Sequence, residues 1–494
     1  MVLPNDLYSA AAVRGFERAA IAAGIPGYTL MQRAASAALD VLRQLWPSAR
    51  SIAVVAGPGN NGGDGLVLAR LAKQQGLTVA TMMVGDTAAL RGEALEALQD
   101  LRRAGLEVQP FDAAALEKCD LIVDALLGIG VRAPLQPEWT AAIAAMNGCG
   151  RQILSLDLPS GLDPDTGRAL PAVHSTATIS FLALKQGLFL ADGRAHAGAL
   201  RFGDLGVETS AGAAPTLRRL DDHCLAAALR QRARDSHKSQ FGRVLVIGGG
   251  SGMPGAVRLA AESALRVGAG LVTVASRPEH LTAVVGARPE LMFHAVAQAS
   301  DIDLPLSQAD VVAIGPGLGR SDWAQTVLER VFALRPADQR LVVDADALNL
   351  IAAGAGQQHC DDWVLTPHPG EAARLLGIDT AVVQQDRLAA LAALCQQRGG
   401  TIVLKGAATL VGAVDQVPML CERGNPGMAV PGMGDVLTGA VAGILAQGAQ
   451  PFAAASAAVH AHAVAGDRCR DGGVRGILAL EVAQELRAVL APLS

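Results

Sequence analysis

One repeated device limits what this chain can fold into: a short apolar run that empties into glycine and small polar residues, followed by a helical pattern. It occurs at 51–56 before Gly57-Pro58-Gly59, at 121–124 before Leu127-Gly128, and at 153–157 before Leu158-Pro159-Ser160. It recurs at 243–247 before Gly248-Gly249-Gly250, at 311–314 before Gly315-Pro316-Gly317, and at 341–343 before Asp344-Ala345-Asp346. Two more copies run from 363–365 into Thr366-Pro367-His368-Pro369 and from 401–404 into Lys405-Gly406. Apolar runs without alternation suit strands buried on both faces of a parallel sheet. In such sheets the carboxyl ends of the strands line one crevice, so polar residues placed there converge. The pattern predicts an α/β protein whose first half is a Rossmann-like doubly wound sheet and whose second half is another α/β domain. The small, polar, aperiodic stretch 208–216 reads as the join. The expected division is 1–207, a linker and lead-in at 208–237, and 238–494.

The bulk numbers agree with that reading. The 494 residues are 51% hydrophobic, enough for two or three cores. With 41 basic and 46 acidic residues the net charge of −5 leaves no electrostatic footprint for nucleic acid. The seven cysteines are scattered without CxxC pairing, which argues for reduced thiols in a cytoplasmic protein and against a zinc site. There is no basic, apolar leader pattern, and no apolar run long enough to cross a bilayer.

In the first half, helices are predicted over 9–24 and 29–45. A glycine loop at 57–65 then leads to a helix from about Leu66 to Gln75. Gly57, Gly59 and Gly62 match the literal GxGxxG fingerprint, but Gly250, Gly252 and Gly255 match it as well, so the pattern is cheap in a chain with 55 glycines. Asn60-Asn61 is more informative, because paired carboxamides offer oxygens to a cation or a sugar; the plainer reading is an Asn-Gly turn. Asn60 and Asn61, Asp124, and Asp157 with Ser160 each follow or end a strand. Three polar strand ends together favour a site over helix caps.

The second half turns on 424–439, a glycine- and proline-rich loop that delivers Asp435 to the start of an apolar helix. Backbone N–H groups of such a loop and the helix N-terminus can bind an anion. A carboxylate there either takes a proton from an alcohol attacking a phosphate or caps the helix, and the loop alone leaves both readings open. His368, between two prolines at a strand end, is a binding residue or a packed one. Lys405 is a phosphate ligand or a surface cation. His460 and His462, two apart on a helix, point to different sides and do not read as a metal site. The helices of 433–490 are expected to cover the sheet.

The first-half motifs Asn60-Asn61-Gly62-Gly63-Asp64-Gly65, Asp124-Ala125-Leu126-Leu127-Gly128 and Asp157-Leu158-Pro159-Ser160-Gly161 resemble the NAD(P)H-hydrate epimerases, to about residue 205. The resemblance implies that Asn60, Asn61, Gly62, Gly63 and Asp64, with Gly128, Ile129, Gly130, Val131, Arg132, Ala133 and Pro134, hold the substrate. It implies K+ on Asn61, Asp124 and Ser160, and Asp157 at the nicotinamide as candidate acid–base group. The stretches 241–255, 315–319, 343–349, 366–371, 405–409 and 425–439 resemble the ADP-dependent NAD(P)H-hydrate dehydratases, which have a ribokinase-like fold. That likeness implies a hydrate pocket at Ala256, Gly317, His368 and Asp435. It also implies a nucleotide site at Lys405, Gly406, Ala407, Ala408, Thr409 and Gly434, catalysis by Asp435, and Mg2+ with the ADP co-substrate, Asp344 being a candidate contact. Val430-Pro431 departs from the family, which often has a hydroxyl residue and then Gly or Ala there. The implied substrates are NADHX and NADPHX, epimerised in one half and dehydrated to NAD(P)H with release of AMP and phosphate in the other. A homo-oligomer is expected. The competing readings are an ATP-dependent kinase of ribokinase type fused to a dinucleotide sensor, and a first half that binds without turnover.

Overall fold

The computed structural model describes residues 3–131, 133–209, 213–229, 231–356 and 358–491. The chain divides into two compact units, Met1–Leu217 and Arg218–Ser494.

In the first unit seven parallel strands lie in the order Val108–Pro110, Thr78–Met83, Ser51–Ala56, Leu121–Ala125, Gln152–Leu156, Ala177–Phe181 and Ala199–Gly203. The strand Ser51–Ala56 shows why both faces must be covered. Ile52, Val54 and Ala56 join a core with the helices Ala10–Ala22, Gly27–Leu45, Asn60–Gln74 and Gly92–Arg103. Ala53 and Val55 point the other way, into a core with the helix Pro137–Gly148. Alternate residues of one strand thus feed two cores, as a doubly wound sheet requires. From Ser51–Ala56 the chain runs outward to one edge, then returns to Leu121–Ala125 on the other side. That reversal opens a crevice beyond the carboxyl ends of these two strands.

Several expectations need correction here. The helix expected from Leu66 starts at Asn60, so Asn60 to Gly65 are helical and not loop. Packing decides this. A methyl group on Gly62 would overlap the Gly57 carbonyl oxygen, and one on Gly65 would meet the Ala125 methyl at 2.5 Å. These glycines bring a helix close to its own strand. Beyond the next strand stand a short 3-10 turn, Thr87–Ala89, and a helix, Gly92–Arg103. The strands Ala177–Phe181, Leu184–Lys185 and Ala199–Gly203, beyond the last motif, were not anticipated at all. The join expected at 208–216 lies partly outside the described residues.

In the second unit the parallel order is Met292–Ala295, Leu271–Ser276, Arg243–Ile247, Val311–Ile314, Arg340–Val343, Trp363–Leu365 and Thr401–Leu404. An antiparallel pair follows, Thr409–Ala413 and Met419–Cys421, which the sequence reading had missed. Arg218 and Arg219 pair in parallel with Met419 and Leu420, so part of the expected lead-in is already sheet. The strand order again reverses, between Arg243–Ile247 and Val311–Ile314. There the two glycine loops are knitted: Gly249 N donates to Pro316 O at 3.0 Å and Gly250 N to Gly317 O at 2.6 Å. The helices Pro254–Arg266 and Met433–Ala446 pack so closely that a methyl on Gly439 would overlap the Ala260 carbonyl, and Ser263 Oγ donates to Val436 O at 2.6 Å. That contact aims the N-terminus of the second helix along the carboxyl ends of the strands. Among the described residues no helix is long and apolar enough to cross a membrane.

Candidate functional sites

At the first crevice, a cavity of about 460 Å³ is lined by Asn60, Asn61, Asp64, Gly128, Ile129, Gly130, Val131 and Asp157 from the expected set, and also by Glu17 and Lys185. Ala133 and Pro134 are exposed and outside the lining, and Gly62 and Gly63 are buried behind it against backbone and Met31. Arg132 lies outside the described residues.

Asp157 sits just past its strand with φ 66, a left-handed conformation that a non-glycine residue adopts only when its surroundings impose it. Here they do. Its N–H donates to Ile179 O at 2.8 Å, and Oδ1 accepts from the Phe181 N–H and from Lys185 Nζ. Lys185 has a fully buried side chain and also donates to Phe181 O at 2.8 Å and Ser180 Oγ at 3.2 Å. No sequence motif announced Lys185. The only signal was a lysine as the one charged residue of a mostly apolar run, 177–190. Around this one ammonium stand three carboxyls. Burial first, then the charges of Asp157 and Glu17, hold the Asp64 carboxyl well above the usual range, against the pull of Lys185. Glu17 is raised by burial, Asp157 and Glu93, against Lys185 and Arg18.

Deeper in the crevice Asn61, Asp124 and Ser160 come together around the backbone of Leu127. The buried Asp124 carboxylate accepts from Ser155 Oγ at 2.7 Å, from Ser160 N at 2.9 Å and from Ser160 Oγ. Ser160 Oγ accepts from Leu127 N at 2.7 Å, and Asn61 Nδ2 donates to Leu127 O at 3.0 Å. Burial raises the Asp124 carboxyl, although these hydrogen bonds oppose it. The Asn61 Oδ1 atom is buried without a hydrogen-bond partner. An orphaned carboxamide oxygen beside a buried carboxylate, a hydroxyl and a carbonyl is an all-oxygen donor set, which suits a hard cation.

In the second unit Lys405 is the centre. Its Nζ donates to Asp344 Oδ1 at 2.7 Å and lies 3.9 Å from Glu371 Oε2. Asp344 is buried, and its other oxygen accepts from Thr438 Oγ1 at 2.8 Å. Burial pushes Asp344 up, but the ammonium and these hydrogen bonds prevail and hold it below the usual carboxylate range. A Cβ built on Gly434 would stand 3.3 Å from Lys405 Nζ, so the bare glycine leaves the ammonium approachable. Asp435 is not the helix N-cap. Gly432, with φ 91, takes that place, and Asp435 lies in the first turn. Among the described residues its carboxyl has no hydrogen-bond or ion-pair partner. Burial, then the Asp344 charge, pushes it up to about 7, against Lys405. The Glu371 carboxyl is likewise raised to about 7, chiefly by burial. A carboxylate that titrates near neutrality at a helix N-terminus is matched to general-base work.

Ala256 and Gly317 meet: a Cβ on Gly317, whose φ is 56, would lie 3.0 Å from the Ala256 Cβ. His368 has a role the sequence reading overlooked. It is the N-cap of helix Pro369–Leu376, with Nδ1 accepting from Gly370 N at 3.0 Å and the Glu371 carboxylate accepting from His368 N at 2.8 Å. Proline at the first helical position and glutamate two residues later were the available signal. With Nδ1 the acceptor, the neutral ring carries its proton on the half-exposed Nε2 side. Gly406 abuts Arg387, whose Nη2 donates to Leu404 O at 3.0 Å and Lys405 O at 3.1 Å, holding the turn that begins 405–409.

The helix Pro451–Arg468 does more than cover the sheet. Asp467 accepts from Gly424 N at 3.1 Å, and Gly466 O accepts from Asn425 Nδ2 at 2.8 Å, so the helix grips the start of the glycine loop. Burial and the Lys405 ammonium push His462 down to about 4, although the Met433 backbone beside it pulls the other way, and Nε2 is buried without a hydrogen-bond partner. His462 thus lies near the other end of the loop, at Met433.

A family model described as NAD(P)H-hydrate dehydratase matches residues 244–487, and one described as YjeF-related protein N-terminus matches residues 27–187. The chain is 46% identical to the bifunctional NAD(P)H-hydrate repair enzyme Nnr of Coxiella burnetii over 98% of its own length and 99% of that protein. It is 41% identical to the Escherichia coli enzyme of the same name, over 99% and 95%. Among solved structures it is similar to a ribokinase-like superfamily protein from Enterococcus faecalis, with TM-score 0.53 and 32% identity, over 56% of this chain and 97% of that one.

Proposed function

Since the chain belongs to the bifunctional NAD(P)H-hydrate repair enzymes, we propose that its two crevices divide the repair of hydrated NADH and NADPH between them. The chain is an isomerase and a lyase: it interconverts the R and S hydrates and dehydrates the S form at the expense of ADP, with release of AMP and phosphate.

We assign epimerisation to the cavity of the first unit, with Asn60 to Asp64, the loop 128–134 and Asp157 as its binding residues. Its support is the strand-order reversal that opens the cavity, and the Asp157–Lys185 pair inside it. Asn61, Asp124 and Ser160 would hold potassium, a reading supported by the orphaned Asn61 Oδ1 and the oxygen-only surroundings. A bound cation would neutralise the buried Asp124 and tie the Leu127 backbone to the helix start at Asn61.

We assign dehydration to the second crevice. Asp435 takes the proton of the hydrate hydroxyl, whose oxygen attacks the β-phosphorus of ADP, and AMP leaves. The phosphorylated carbon then expels phosphate, a far better leaving group than hydroxide, and loss of a neighbouring proton restores the ring. The N–H groups at 432–435 and Lys405 face the charge that develops on the phosphoryl oxygens. Ala256, Gly317 and His368 border the hydrate, and 405–409 with Gly434 the nucleotide. Magnesium that accompanies a nucleotide takes most of its ligands from phosphate and water. Asp344, whose two carboxylate oxygens accept from Lys405 and Thr438, would be the protein-side contact for that ion.

The observation that carries the assignment is the unpartnered Asp435 carboxyl, titrating near 7 beside Lys405. Purified protein given both epimers of hydrated NADH with ADP and magnesium should restore the near-ultraviolet absorbance completely. Asp435→Ala should abolish recovery, whereas Asp157→Asn should stop it once the S epimer is used. Full recovery by Asp435→Ala would refute the dehydratase assignment.

A further inference from the structure

The first cavity holds more carboxyl groups than a binding site needs. Asp157, Asp64, Glu17 and Glu93 all line it, with the buried ammonium of Lys185, and Glu93 lies at the side of Gly27. They are not equivalent. Asp157 is held by Lys185 and the Phe181 N–H. Asp64 and Glu17 have no hydrogen-bond or ion-pair partner among the described residues, although both are partly buried. They come from different elements, Glu17 from helix Ala10–Ala22 and Asp64 from the first turns of helix Asn60–Gln74. Asp64 is rigidly placed, because Gly62 and Gly65 on either side of it are in contact with backbone and strand with no space for a side chain.

The substrate tells what such an arrangement can do. The hydrate carries its hydroxyl on the carbon bonded to the ring nitrogen, so inversion at that carbon can proceed through loss and return of water. We propose that Asp64 and Glu17 are the two proton-transfer groups of epimerisation, with Asp157 as the fixed anion that stabilises the cation between them. This rests on reading the cavity as the epimerase site. In one direction Asp64 gives its proton to the hydroxyl. The C–O bond breaks with its electron pair going to oxygen, water leaves, and the nitrogen lone pair forms a C=N+ bond. Water then adds to the opposite face, its oxygen supplying the electron pair for the new C–O bond, and its surplus proton passes to Glu17. The reverse reaction starts from protonated Glu17 and ends on Asp64, so no oxidant or co-reactant is consumed. A reversible inversion needs an acid for each face, and two unpartnered carboxyls provide them.

The electrostatics agree. Facing Asp64 are Asp157, Glu17 and Lys185, and burial with the first two outweighs the third. Facing Glu17 are Asp157, Glu93, Lys185 and Arg18, with burial again dominant. Both carboxyls therefore keep a proton at higher pH than an exposed acid does, whereas Asp157 has its own cation.

The test is epimerisation of the pure S hydrate in H2 18O by the full-length wild-type protein without ADP, followed by mass spectrometry of the separated epimers. One labelled oxygen in the R product from the first turnovers is expected. Unlabelled R product would overturn the proposal, because a ring-opening route keeps the oxygen on its carbon. With Asp64→Asn and Glu17→Gln, kcat for epimerisation should fall about 10²- to 10⁴-fold with KM changed only a few-fold. The fall should be accompanied by loss of the alkaline limb of the wild-type pH profile. Wild-type turnover in either variant would overturn the proposal. Asp157→Asn separates the two levels: if it too epimerises at the wild-type rate, the reading of the cavity fails, and if it alone is inactive, only the two-carboxyl mechanism does.

Discussion

Asp435 should cost the protein stability in proportion to its ionisation, and replacing it by asparagine should reveal how much. Burial raises its carboxyl from an ordinary value near 4 to about 7. Between those values the folded chain binds a proton that the unfolded chain has lost, so stability falls as pH rises through this window and levels off above about 7. A displacement of that size corresponds to ~4 kcal/mol on the ionised form. The carboxyl is partly open to solvent, which roughly halves it, to about 2 kcal/mol. Asp435→Asn removes the ionisation and keeps the shape. At pH 8 the transition of the second unit should rise by ~5 °C, and at pH 5, where about a third of the penalty is present, by ~2 °C. ADP-dependent recovery of NADH should meanwhile fall at least ~10³-fold, as expected for loss of a base that activates the nucleophile. Thermal unfolding of full-length wild type and variant at both pH values, beside the absorbance assay, checks this. A variant less stable than wild type at pH 8, or a gain equal at both pH values, would refute the reasoning, since the penalty would then not arise from charge.

Lys185→Met should abolish epimerisation and lower the stability of the first unit by ~3–5 kcal/mol, because Asp157 loses the cation that holds it; recovery from an epimer mixture would then stop at the S fraction. Gly62→Ala should prevent helix Asn60–Gln74 from seating on its strand, read as a loss of several kcal/mol in denaturant unfolding, while Gly59→Ala, with open space around it, changes little. Epimerisation should fall when K+ is replaced by Na+, and Ser160→Ala should remove that dependence together with most of the activity; equal rates in both salts would refute the cation assignment. His462→Ala should raise KM for ADP by about tenfold without affecting epimerisation, because the buried ring fills the space beside Met433 and Lys405 at the loop.

Much of this fold is legible in the sequence. Strands buried on both faces must be apolar throughout, and a chain that turns from strand to helix in a few residues needs glycine there. The parallel sheets, their order of appearance and the polar residues at strand ends followed from local chemistry. Asn61, Asp124, Asp157, Ser160, Lys405 and Asp435 can be singled out because each stands next to a local signal. What the sequence could not decide was which charges share a space. Lys185 lies 28 residues from Asp157 and Lys405 lies 61 residues from Asp344, and nothing local to either lysine names its carboxylate. The helical start at Asn60 was set by how closely a glycine face approaches a strand, which no run of glycines specifies by itself. Desolvation is likewise a property of the assembled site: the same Asp-X-X-Thr pattern would titrate near 4 on an open surface and does so near 7 here. Local sequence determined which groups reach the ends of the strands. Only the tertiary structure decided which of them are paired, which are left free, and therefore which can move a proton.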